Sequence, residues 1–181
     1  MEIRNALNQG TPSLFLKSLS EDLKLRSILR LADNRMEDRE LYLRAYAFIN
    51  TKYLYYEKPL TTFLDKAMES IYKKTKEGLE EISRKIIDAI VIQSELFGRH
   101  IFSKSILGNT NKIILNSALF EVWVSLVYFL DGNEKRALLS NSDILIKEYK
   151  ILLRNEAFVK SITTSTASNE AVRTRFEGVK K

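Results

Sequence analysis

The sequence predicts an all-α fold, an irregular multi-helix bundle arranged around a central apolar helix at about residues 110–130. Three observations predict it. Apolar residues recur three and four positions apart, the period of one helix face, and no stretch alternates strictly as a half-buried strand would. Only two prolines (Pro12, Pro59) and six glycines interrupt the 181 residues, and most stand where one apolar pattern stops and the next starts. Hydrophobic residues supply 45% of the chain and charged residues 29%, a balance that lets a chain of this length bury a full core.

Each element follows from local pattern. Glu2 to Asn8 reads as a short helix ending at Gly10, and Pro12 suits the first turn of a second helix running through Leu19. A third short helix follows from Glu21 to Leu31. Asn34 and Glu37 have the capping-box spacing and lead into Leu41, Ala45, Phe48 and Ile49 on one face, which predicts a helix from about Met36 to Asn50. After Pro59, the residues Leu60, Phe63, Leu64, Ala67, Met68 and Ile71 keep the helical rhythm, with Lys66, Glu69, Lys73 and Lys74 opposite. Leu79, Ile82, Ile86, Ala89, Ile90 and Phe97 repeat it from Gly78 to Gly98, so these two helices are expected to form an antiparallel or angled pair.

The segment from Thr110 to Leu130 is apolar nearly all round, which places it at the bundle centre with Trp123 as its largest buried block. Beyond the polar turn Asp131-Gly132-Asn133 comes a helical pair broken near Ser140-Asn141-Ser142, whose second member buries Leu145, Tyr149 and Leu152. The Thr/Ser-rich stretch 163–168 leads to a short helix from Asn169 to Phe176 and a frayed end. The expected division is a helical domain over 1–162, with short helices in 1–31 and the main bundle in 36–162, followed by a polar loop and short C-terminal helix over 163–181.

Composition excludes several chemistries. There is no cysteine, which removes disulfides, thiolate zinc sites and cysteine nucleophiles. His100 is the only histidine, and its setting between Gly98-Arg99 and Ile101-Phe102 reads as capping or packing before any catalytic role. The glycines form no phosphate-cradling loop. Adjacent carboxylates such as Glu80-Glu81 and Glu37-Asp38 read as solvated helix faces, so no metal site and no catalytic residue is predicted in this chain. The apolar run Ile113–Leu130 holds Asn116, Ser117, Glu121 and Ser125, which predicts a buried helix and not a membrane span. Met1 runs straight into Glu2-Ile3-Arg4-Asn5 without a signal-peptide pattern, so a cytoplasmic location is expected.

A net charge of +6 makes an acidic partner such as DNA or RNA plausible. Two basic groups could hold phosphates: Lys73, Lys74, Lys76, Arg84 and Lys85, with Tyr72 beside them, and Arg173 and Arg175 with the terminal Lys180 and Lys181. The alternative for both is solubilising surface.

Glu2-Ile3-Arg4-Asn5-Ala6 resembles the Glu-Ile-Arg-Asn-Ala segment of the GmrSD-type restriction endonuclease family, whose N-terminal domain belongs to the ParB/sulfiredoxin-like group. Arg35-Met36-Glu37-Asp38-Arg39-Glu40, then Leu43-Arg44 and Ala47-Phe48, resemble the family's next block. Phe63-Leu64, residues 97–102, Phe158 and the stretch from Thr163 to Arg175 follow in order. The resemblance implies the helical C-terminal region of an antiphage, nucleotide-dependent DNA endonuclease. The family's Asp-Gly-Gln-Gln-Arg motif, which lies upstream of these segments, is not in this sequence. The expectation is therefore a fragment, an engineered piece or a split gene product. It would act as scaffold and interaction module, with a catalytic N-terminal domain or subunit as its partner and with homo-oligomerisation open.

Nucleoside triphosphate and divalent metal are implied for the parent family only, and no cofactor is expected in this chain. A site shared with the missing part would use Glu2, Arg4 and Asn5, with Arg35, Asp38, Arg39 and Arg44 behind them. The alternative is structural: Asp38 and Glu40 complement a helix dipole, and Arg39 or Arg44 pairs with Glu2 or Asp38 to lock helices together. A stand-alone basic helical domain that binds nucleic acid or protein is the other functional reading.

Overall fold

The computed structural model describes residues 10–31, 35–108 and 112–181, with the backbone alone for 35 and 36. The helix expected over Glu2–Asn8, the Asn34 cap and Thr110 lie outside the described residues. Among those described, ten α-helices and three short 3-10 turns account for the regular structure, and there is no strand. None of these helices is long and apolar enough to cross a membrane.

Helix α1 (Thr11–Glu21) carries Pro12 in its first turn, where the missing N–H costs nothing. It stops at Asp22, whose backbone is extended and whose carboxylate accepts the Leu25 N–H at 2.9 Å, starting α2 (Leu23–Leu29) two residues later than the expected Glu21. Helix α3 (Arg35–Asn50) departs from the one-sided pattern expected of it: every residue from Leu41 to Phe48 is buried. The centre of the bundle is therefore a pair of helices. Helix α3 packs along α6 (Ser117–Tyr128).

Helix α6 begins at Ser117, well after the expected Thr110, for a tertiary reason. Asn116 is held from three sides: its side-chain oxygen caps the Leu119 N–H at 2.9 Å, its amide donates to the Ile162 carbonyl at 2.8 Å, and its backbone N–H donates to the Phe102 carbonyl at 2.9 Å. Those bonds need an extended backbone, so the helix cannot run further back.

Helices α4 (Leu60–Tyr72) and α5 (Lys76–Phe97) bury the faces that their periodicity predicted. They do not form the expected pair. Helix α4 packs on α3 and α1, whereas α5 packs on α6 and α2, because each apolar face is taken by a member of the central pair. The Thr75 hydroxyl caps the Gly78 N–H at 3.1 Å, so α5 starts before Gly78, not at it.

Helices α7 (Gly132–Ser140) and α8 (Ser142–Leu152) break at Asn141 as expected, and the polar turn before them is a capping box between Asp131 and Glu134. Sequence reading passed over α9 (Glu156–Thr163), although Asn155 caps its Phe158 N–H at 3.0 Å. Helix α10 (Asn169–Lys180) runs one turn beyond the expected Phe176 and packs on α9, α6 and α8. Its Phe176 is buried, stacked on Tyr53 at 4.7 Å and against Phe48 at 4.9 Å. Tyr56 and Lys58 reach the same region through bonds to the Ala167 carbonyl and the Asn169 side chain.

Two helical glycines give opposite predictions. A methyl at Gly132 would meet nothing closer than Arg136 Nη1 at 3.6 Å, so Gly132→Ala should gain about 0.5 kcal/mol from helix propensity. A methyl at Gly178 would stand 2.9 Å from Cδ2 of the buried Phe158 ring and 3.2 Å from Leu152 Cδ1, so the packing there must shift to admit it. Gly178→Ala should therefore cost about 1–3 kcal/mol despite the better helix former. Thermal unfolding of both variants checks the sign.

Candidate functional site

Two features stand out from the helical packing, a buried cluster of charges and an open groove. The charges come first because they absorb residues predicted for function. Glu121 points from the middle of α6 into the protein with no exposed surface, and an isolated carboxylate there would be prohibitively costly. Arg44 of α3, 9% exposed, donates from Nε to Glu121 Oε2 at 2.8 Å. Arg175 of α10, 1% exposed, pairs through Nη2 with Glu121 Oε1. Its Nη1 donates to the Thr166 carbonyl at 2.7 Å. Both carboxylate oxygens are thus occupied by guanidinium groups, and three helices distant in sequence are tied at one point. The charge reaches further, since the Tyr56 phenol is pushed up by burial first and then by Glu121, with the two arginines opposing.

This arrangement is a lock. With both oxygens paired to guanidinium groups and no exposed surface, Glu121 is out of reach of any substrate. Arg175 is therefore corrected from candidate phosphate ligand to core residue. The sequence held one hint: a lone carboxylate in an otherwise apolar helix demands buried cations, without saying which.

The other residues proposed for a shared site scatter. Glu2, Arg4, Asn5 and the Arg35 side chain lie outside the described residues. Asp38 is buried and pairs with Arg26 of α2 at 3.3 Å, a partner that sequence reading did not name. Arg44 pairs with Glu121, a partner that sequence reading did not name. Asp38 and Arg44 stand six positions apart on α3, roughly 9 Å along the axis and on different faces, so they serve separate contacts. Arg39 keeps a buried Nε without a hydrogen-bond partner among the described residues.

Most of the predicted nucleic-acid residues are exposed but partly neutralised. Lys76 lies 4.0 Å from Glu80, Lys85 2.9 Å from Glu81, and Arg173 3.7 Å from Glu177, all one helical turn apart. Lys85 also sits over the Tyr128 ring at 5.6 Å. Lys73, Lys74 and Arg84 remain as exposed cations outside these pairs.

His100 is hydrogen-bonded through Nδ1 to the buried Ser105 hydroxyl at 2.9 Å. Burial, and then Arg99 and Lys150, lower its pKa, so the fold favours the neutral ring and this contribution to stability is lost as pH falls through the unfolded histidine range. Among the described residues, no group of three or more His, Asp or Glu could hold a metal.

The groove lies between α7, α8 and α10, with a volume of about 950 Å³. Its deepest residues are Trp123, Tyr149 and Phe158, all buried, and its α8 wall presents Ile144 and Ile151, 63% and 52% exposed. Trp123 and Tyr149 meet edge-on at 5.2 Å. Burial drives the Tyr149 phenol far above its ordinary range, and the nearby indole N–H offsets only part of that. Glu134, Glu148 and Glu177 also line the groove, against Lys181.

No protein-family model, curated protein or solved structure matches the chain.

Proposed function

We propose that this chain is a helical scaffold and interaction module, serving a nucleotide-dependent DNA restriction endonuclease in the place that the helical region takes in the GmrSD-type family. The observation that carries the module reading is the contrast between the two features above. The buried charges of Arg44, Glu121 and Arg175 are committed to holding helices together, while an apolar groove with two exposed isoleucines lies open. A rigid body with an unpaired apolar trough suits binding better than catalysis. The link to a restriction enzyme rests on the sequence resemblance alone.

The test is direct. The purified chain, given GTP or ATP, Mg²⁺ and duplex DNA, should neither hydrolyse nucleotide nor cut DNA. Turnover that co-elutes with the chain and disappears on substitution of one of its own residues overturns the module reading. An open frame upstream of Met1 encoding Asp-Gly-Gln-Gln-Arg would support the restriction-enzyme link, and a chromosomal context without one would remove it.

Direct nucleic-acid binding is the second reading, favoured by the exposed Lys73, Lys74 and Arg84. With about three cations available, log K should fall against log salt with a slope near −3 or shallower, and affinity at physiological salt should be no tighter than ~10⁻⁴ M. A gel-shift titration against Lys73→Glu/Lys74→Glu checks this. Tight binding that survives the double substitution would exclude that patch.

A further inference from the structure

We propose that the groove between α7, α8 and α10 receives a basic amphipathic helix from a partner polypeptide. This deepens the interaction-module reading and rests on it. Two observations choose the occupant.

The first is spacing. Ile144 and Ile151 stand seven residues apart on α8, two turns or roughly 10.5 Å along one face, and both are exposed at the groove wall. Apolar groups at that interval match the i, i+3/i+4, i+7 anchors of a helix lying along α8, with Leu145 and Leu152 deeper in the same trough.

The second is charge. The chain carries a net charge of +6, yet the groove is lined by Glu134, Glu148 and Glu177 against Lys181, so it is an acidic place on a basic protein. Glu148 has no ion-pair partner among the described residues. Glu177 meets only the exposed Arg173 at 3.7 Å, a pairing that a partner cation can replace at little cost. Carboxylates around an apolar trough repel DNA and anionic lipid alike and attract lysine or arginine flanking apolar anchors.

A display selection on the immobilised full chain, using random peptides of about 16 residues, roughly 24 Å as a helix, tests the assignment. Enriched peptides should share helically spaced apolar residues flanked by Lys or Arg. A synthetic peptide of that sequence should lose about tenfold or more in affinity against Ile144→Asp/Ile151→Asp. It should lose severalfold, with a shallower salt dependence, against Glu148→Lys. All three positions are exposed, so both variants should keep the wild-type unfolding transition. Failure to enrich any peptide, enrichment of acidic sequences, or equal binding to the isoleucine variant overturns the proposal. Concentration-dependent self-association that the isoleucine variant abolishes also overturns it, because the groove would then hold another copy. Peptides that bind outside the groove leave the module reading standing, and nucleotide turnover by the chain would defeat that reading without touching the groove result.

Discussion

Glu121→Ala should lower the unfolding free energy by about 3–5 kcal/mol, because it leaves the guanidinium groups of Arg44 and Arg175 buried without a counter-charge. Domains of this kind have only about 5–15 kcal/mol to lose, so the variant should sit near the edge of folding. Urea unfolding at constant slope measures the loss as a shift in midpoint. The informative companion is the triple variant Arg44→Met/Glu121→Leu/Arg175→Met. Replacing a whole buried ionic cluster by apolar side chains of similar volume is commonly neutral or stabilising by about 1–4 kcal/mol. The triple variant should therefore be far more stable than Glu121→Ala. If the single substitution cost under about 1 kcal/mol, the arginines would have to reach water, and the lock described above would be wrong.

Ending the chain at Thr163 should do still more damage. That truncation removes α10 and with it Arg175, so Glu121 keeps only one of its two cations. It also removes Phe176 from its contacts with Phe48 and Tyr53, and Val172 from the core. Loss of one large buried aromatic alone is worth about 3–5 kcal/mol, and the stranded carboxylate adds to it. The truncated chain should therefore lose its cooperative thermal transition, which circular dichroism would show. Removing only the exposed Lys180 and Lys181 should change stability by less than about 0.5 kcal/mol. A truncated chain that melts as the full one does would mean that α10 is an appendage.

These two predictions mark where sequence reading stopped. The stretch 163–181 read as a polar loop and a short C-terminal helix outside the main domain, with basic residues that could hold phosphates, and that inference used composition without partners. Composition cannot show that Tyr56 hydrogen-bonds to Ala167 or that Glu121 waits on α6 for Arg175, contacts spanning 111 and 54 residues. The groove was invisible for the same reason. Ile144 and Ile151 each stand one position before the expected core residues Leu145 and Leu152, and it takes the placement of α10 to show that they stay uncovered.

What the sequence alone determined was the helical class and the main helices, because a 3.6-residue apolar period, glycine and proline boundaries, and caps such as Asp131 with Glu134 act over a single turn of backbone. The tertiary structure alone decided which helices pair, where α6 begins, and which arginines are surface and which are core. Those outcomes depend on how groups far apart in the chain satisfy one another's charge and hydrogen bonds, and no local pattern carries that information.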